Sequence, residues 1–152
     1  MKYSIDTSAI LEAWRRYYPP DVFPPVWRKL DELIDQGTLI ATEEVLHELE
    51  RKDDEVYEWA QQRNMFVPTD EAIQLAVTDV LRNHPKLINQ RESRSGADPF
   101  VIALAQVEGC AVLTAEKPTR SSKRPNIPDV CDALGIPWLT ILQLFRNEGW
   151  VF

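Results

Sequence analysis

Four parts of the sequence place carboxylates where an apolar run has just ended or is about to begin. Asp6 follows Tyr3-Ser4-Ile5, and Glu43, Glu44 and Glu48 lie in EEVLHELE directly after Leu39-Ile40-Ala41. Asp98 heads the apolar stretch PFVIALA, and Glu116 follows Ala111-Val112-Leu113 by way of Thr114 and Ala115. Oxygen donors of this kind suit hard divalent cations such as magnesium or manganese. A cation held by them would assist phosphodiester cleavage by orienting water and stabilising charge that develops on the phosphate. Each acid also has an ordinary role open to it. Asp6 or Ser8 can cap a helix, and Asp98 before Pro99 has the form of an N-cap and first helical residue. Glu44 and Glu48 can belong to a solvated helix face, and Glu116 can pair with Lys117 or Arg120. Only their joint placement favours a common site.

The elements that would position these acids follow from periodicity and punctuation. Tyr3–Ile5 reads as a core strand, and Ser8–Tyr17 as a helix stopped by Pro19-Pro20. A second helix starts near Pro24-Pro25, shows one face through Val26, Leu30, Leu33 and Ile34, and ends at Gly37. Leu39-Ile40-Ala41 is the second strand, with Thr42 as the cap of EEVLHELE. A helix from about Glu55 to Gln62, a strand at Met65-Phe66-Val67 and a long helix capped by Thr69 or Asp70 follow. The polar stretch from Leu87 to Gly96 reads as a loop. The helix that begins at Asp98 is nearly all apolar, hence central. The strand Cys110–Leu113, the helix IPDVCDALG, the strand Ile136-Pro137-Trp138 and a helix from Thr140 to about Asn147 complete the chain. Short apolar strands alternating with helices predict a parallel α/β sheet covered on both faces. In such folds ligands gather beyond the carboxyl ends of the strands, which is where these acids fall.

The composition sets limits on function. The chain has 152 residues, 44% of them hydrophobic and 27% charged, as expected of one domain (1–152) with its own core. No apolar run approaches the roughly 20 residues of a membrane span, and no signal peptide is read, so the expected location is cytoplasmic. Cys110 and Cys131 each sit among apolar residues, as buried thiols in a reducing compartment do. His47 and His84 are far from each other and from the cysteines, which argues against zinc. The net charge of -7, from 17 basic and 24 acidic side chains, excludes a protein that coats nucleic acid by bulk charge. Local basic stretches remain. KPTRSSKR carries Lys117, Arg120, Lys123 and Arg124 with no acid among them, and the segment Arg82 to Arg94 adds Lys86 and Arg91 against Glu92. An acidic chain with basic stretches flanking its strand-end acids is consistent with an enzyme acting on nucleic acid. Lys117, Arg120, Lys123 and Arg124 are expected to hold an RNA backbone rather than to read bases, because a flexible serine-containing loop is a poor frame for base recognition. Ser93, Ser95 and Thr114 are further hydroxyls near that site. The tryptophans, among them Trp27, Trp59, Trp138 and Trp150, are explained by packing before base stacking.

Taken in order, IDTSAIL (5–11), EEVLHEL (43–49), GADPFVIALA (96–105), VLTAEK (112–117) and IPDVC (127–131) make the chain resemble the PIN-domain ribonucleases, in particular a PIN-like branch of the toxin-like bacterial and archaeal type. The resemblance spans essentially the whole chain. It implies a three-layer α/β/α sandwich around a short parallel sheet and an endoribonuclease dependent on Mg2+ or Mn2+. It also implies that Asp6, Glu48, Asp98 and Glu116 are the catalytic, metal-ligating residues, with Glu48 favoured over Glu44. At the fourth position members of the family usually carry aspartate. Glu116 is one methylene longer, which leaves direct or water-mediated contact and the second metal open. Asp129 is a further candidate. The implied partners are RNA, an antitoxin protein and a second copy of the chain. Two other readings compete. A phosphoaspartyl phosphotransferase of the haloacid-dehalogenase type needs an aspartate where Ser8 stands, and a receiver-type phosphoacceptor needs paired acids upstream. A PIN-like nucleic-acid- or protein-binding module that has lost turnover would accommodate the Glu116 departure.

Overall fold

The computed structural model describes residues 1–87 and 96–152. Five short strands, β1 (Tyr3–Ile5), β2 (Leu39–Thr42), β3 (Phe66–Val67), β4 (Ala111–Leu113) and β5 (Trp138–Leu139), pair in the order β3-β2-β1-β4-β5, and every pairing is parallel. The three-layer α/β/α PIN-like architecture expected from the sequence is the one present. Strand order reverses at β1, so the crevice between the carboxyl ends of β1 and β4 is the topological switch point where α/β folds place ligands.

Why the sheet is buried on both sides is legible in β1. Side chains alternate across a strand. Ser4 Oγ donates to the Val101 carbonyl at 3.0 Å on one face, while Tyr3 OH on the other face donates to Glu148 at 2.6 Å. The helices are α1 (Thr7–Glu12), α2 (Pro24–Asp35), α3 (Glu43–Lys52), α4 (Asp54–Gln61), α5 (Glu71–Asn83), α6 (Asp98–Glu108), α7 (Ile127–Leu134) and α8 (Ile141–Glu148). The crossover from β3 back to β4 carries α5 and α6, and α6 lies across β1, β2 and β4. Val101, Ile102, Ala103 and Leu104 of α6 are wholly buried, so the central helix read from its apolar run is central. Because α6 leads into β4, its C-terminus sits at the amino end of the sheet. Its first residue, Asp98, therefore stands at the carboxyl end.

Several boundaries differ from those read in the sequence. The first helix is α-helical only to Glu12. Ala13–Tyr17 form a π-helical turn, closed by Tyr18 N donating to Ala13 O at 2.8 Å. Pro19 then ends it, and the Tyr18 carbonyl accepts from Trp27 Nε1 at 2.7 Å. Trp27 packs edge-on against Trp14 and Trp59, and those two are tilted to each other, with centroids 5.0 to 5.9 Å apart, so these three rings pack on one another. The fifth strand begins one residue beyond Pro137, whose carbonyl accepts from Val112 N at 2.9 Å but which has no N–H to give. Asp98 is the first helical residue and Ala97 the N-cap, one position off the expected cap. Both cysteines are buried and free. Among the described residues, no helix is long and apolar enough to cross a membrane.

Candidate functional site

Asp6 terminates β1 and caps α1. Its carboxylate accepts from Ala9 N at 2.8 Å, from Ser8 Oγ at 2.9 Å and from Thr114 Oγ1 at 2.7 Å. The last bond crosses the switch point, since Thr114 follows β4. The same residues are laced to the loop after β4: Ser8 Oγ accepts from Ala115 N at 3.1 Å, and Thr114 Oγ1 accepts from Glu116 N at 3.0 Å. Asp6 thus caps α1 and also ties the end of β1 to the end of β4. Burial pushes the Asp6 carboxyl up to about 7, and the nearby Glu116 charge adds to this against the three donors that lower it.

Glu48 lies on the buried face of α3, where Thr7 Oγ1 donates to its Oε1. Its other oxygen, Oε2, is buried with no hydrogen-bond partner among the described residues. Glu44, one turn earlier, is partly exposed and sits 3.6 Å from His47 Nδ1 on the outer face. Position along α3, which sequence could not supply, selects Glu48 for the interior, since residues four apart share a face. Asp6, Glu48 and Asp98 are 2%, 2% and 3% exposed, a depth at which carboxylates are rare without a partner or a cation. Thr7 had no role assigned from the sequence. Its signal is the hydroxyl pair of the Asp-Thr-Ser triplet at a strand-to-helix junction.

Glu116 is only partly buried, and its Oε1 accepts from Ile127 N at 2.9 Å, the first amide of α7. Asp129 is spoken for as well. It accepts from Thr119 N, Arg120 N and Asn126 N at 3.0, 2.8 and 2.7 Å and from Thr119 Oγ1 at 2.9 Å. Burial raises its carboxyl, but these donors outweigh it and hold it below the usual range. Asp129 therefore frames the basic loop, and the loop is not the frameless segment expected. Arg120, held at φ 57, is the one non-glycine residue with positive φ among those described, a conformation that costs roughly 1–2 kcal/mol. Lys117, Arg120, Lys123 and Arg124 are all exposed. Arg91, Glu92, Ser93, Arg94 and Ser95 lie outside the described residues.

The donor set consists of carboxylate and hydroxyl oxygens, and one buried carboxylate oxygen is unused. In kind this fits a hard divalent cation. In arrangement the ligands are engaged with the protein: no group of three or more His, Cys, Asp or Glu among the described residues is placed to hold a metal ion.

The raised Asp6 carboxyl has a direct consequence for the metal-free protein. Its ordinary value is near 3.8 and its folded value about 7, so the folded state binds the extra proton between them. That contribution is complete below about pH 4 and is lost as pH rises to about 7, an effect on the order of 4 kcal/mol. Melting in EDTA across this range should show Asp6→Asn with a flatter profile and a higher Tm than wild type at pH 8. Parallel profiles would remove the buried carboxylate as the cause.

The fold is that of a PIN-like α/β domain, with Asp6 and Thr114 bonded across its switch point. The chain belongs to the family described as Domain of unknown function (DUF4411), whose model matches residues 3–152. No curated protein matches it in sequence. In fold it is similar to VapBC2 from Rickettsia felis, solved bound to a DNA fragment from their promoter, with TM-score 0.60, 14% identity, and coverage of 92% of this chain and 98% of that one. It is also similar to FitAcB from Neisseria gonorrhoeae, with TM-score 0.55, 16% identity and coverage of 92% and 98%.

Proposed function

We propose that this chain is a Mg2+- or Mn2+-dependent endoribonuclease and the toxin of a toxin–antitoxin pair. The observation that carries the reading is the set of buried acids at the carboxyl end of the sheet, with Glu48 Oε2 lacking a hydrogen-bond partner among the described residues. Asp6, Glu48 and Asp98 would hold the cation, with Glu116 beside them. A bound divalent ion supplies positive charge next to the phosphodiester and makes water acidic enough to attack at neutral pH. The protein's own contribution is positioning. Ser8, Thr114 and the Ala9 amide fix the Asp6 carboxylate, and Thr7 fixes that of Glu48. Glu116 ties the β4 end to α7, and with it to the loop that carries the cations. The likeness to VapBC2, described with its promoter DNA, supports a partner protein for this chain too, and a protein co-purified from native expression would identify it. The reading is tested by cleavage of single-stranded RNA with either metal and with EDTA. The engaged ligands and the longer Glu116 support a second reading, a binding module without turnover, for which the same assay would show no cutting while a manganese titration still showed ion binding.

The basic loop should hold the RNA backbone. Replacing Lys117, Arg120, Lys123 and Arg124 with alanine in an Asp98→Asn background should weaken unrelated single strands together. The slope of log affinity against log salt should flatten by up to about 3, with metal affinity little changed. Binding of two unrelated RNAs across a salt series checks this. An unchanged slope would place the nucleic acid elsewhere.

A further inference from the structure

A cavity of about 510 Å3 lies between the turn after α5 and the basic loop, in the size range of small-ligand sites. Pro85, Pro125, Val130 and Ala133 supply apolar wall, and Lys86 and Arg120 line it as cations. These two come from the separate basic stretches of the sequence, and the fold brings them to one opening. Neither is in an ion pair among the described residues. Asp129 and Asp132 also line the cavity. The Asp129 carboxylate is covered by the loop amides, and Asp132 Oδ1 accepts from Trp138 Nε1 at 3.0 Å. Asp129 also holds the amide of Arg120 in its left-handed conformation, so the backbone that carries the arginine is anchored at the rim.

We propose that this cavity seats one nucleotide of the RNA strand, its base against the proline, Val130 and Ala133 walls and its phosphate on Lys86 and Arg120. A nucleobase has flat apolar faces that pack on such surfaces whatever its sequence, and a guanidinium with an ammonium suits a phosphate. The cavity is lined by residues of α7, the helix whose first amide is held by Glu116. The proposal rests on the ribonuclease reading for the strand to which the nucleotide belongs. Its binding chemistry does not depend on turnover.

The test titrates adenosine 5′-monophosphate, adenosine and inorganic phosphate into the full chain, followed by amide NMR shifts of Ser121, Ser122 and Val130. The nucleotide should bind saturably and at least tenfold more tightly than adenosine or phosphate. Lys86→Ala with Arg120→Ala should lose at least tenfold for the nucleotide and change adenosine little. Ala133→Trp, which fills the cavity from an exposed position, should lose both ligands. Absence of saturable binding up to millimolar nucleotide, or binding indifferent to Ala133→Trp in a folded variant, would overturn the proposal. RNA cleavage by wild type is scored in parallel. Cutting without nucleotide binding removes the cavity and leaves the nuclease, whereas nucleotide binding without cutting removes the nuclease and leaves the cavity as a nucleotide site.

Discussion

Asp98→Asn is expected to lower RNA cleavage by on the order of 10²- to 10³-fold, the cost of removing one fixed charge-stabilising group from an active site, while leaving the fold intact. Asp98 is the first residue of α6, at the carboxyl end of the sheet, and is buried there. The amide keeps the shape of the carboxyl and one acceptor oxygen, replaces the other with a donor, and removes the charge. Pro99 and the wholly buried run from Val101 to Leu104 hold the helix in place whatever stands at its head. Circular dichroism, Tm and cleavage rate are measured on the same preparation. Wild-type turnover in a folded variant would remove Asp98 from the site.

The second large effect separates two glutamates that the sequence leaves equivalent. Glu48→Gln should abolish most of the rise in Tm that manganese gives the metal-free protein and lower cleavage by a similar order to Asp98→Asn. Glu44→Gln should leave both within about twofold. Glu48 Oε1 is fixed by Thr7 and its Oε2 is buried without a hydrogen-bond partner among the described residues, so a cation there gains a pre-oriented oxygen. Glu44 lies on the outer face beside His47, where an ion pair contributes at most about 1 kcal/mol. Because ligands must shed protons to bind metal, the manganese-induced rise should be larger at pH 8 than at pH 5.5. A greater loss for Glu44→Gln would rotate the proposed ligand set by a helical turn.

Much of this arrangement was legible because strand ends are punctuated. Three acids stand beside apolar runs too short for anything but core strands or at the head of the most apolar helix, and the alternation of elements predicts a parallel sheet whose carboxyl ends collect them. What was not legible is what depends on the third dimension. Sequence order does not say that β1 lies between β2 and β4, so the Thr114–Asp6 bond across the switch point could not be drawn. The choice between Glu44 and Glu48, which share a helix face, depends on which turn of α3 the rest of the fold covers. The widened turn Ala13–Tyr17 leaves no periodic signature because it spans one turn only. Lys86 and Arg120 meet through the docking of the α5 turn against the loop, and the framing role of Asp129 depends on a loop conformation with positive φ at an arginine, where local propensity argues against it.

The central claim is that the strand-end acids form a metal-dependent centre for cutting RNA. Its most direct test is cleavage of end-labelled single-stranded RNA by chelator-stripped wild type as manganese is added back, beside the folded Asp6→Asn, Glu48→Gln, Asp98→Asn triple variant. Cleavage that rises saturably with manganese, stops in EDTA and is lost in the triple variant is the predicted result. Cutting that persists in EDTA or in the triple variant, or a folded wild type that cuts no RNA at any manganese concentration, would contradict it.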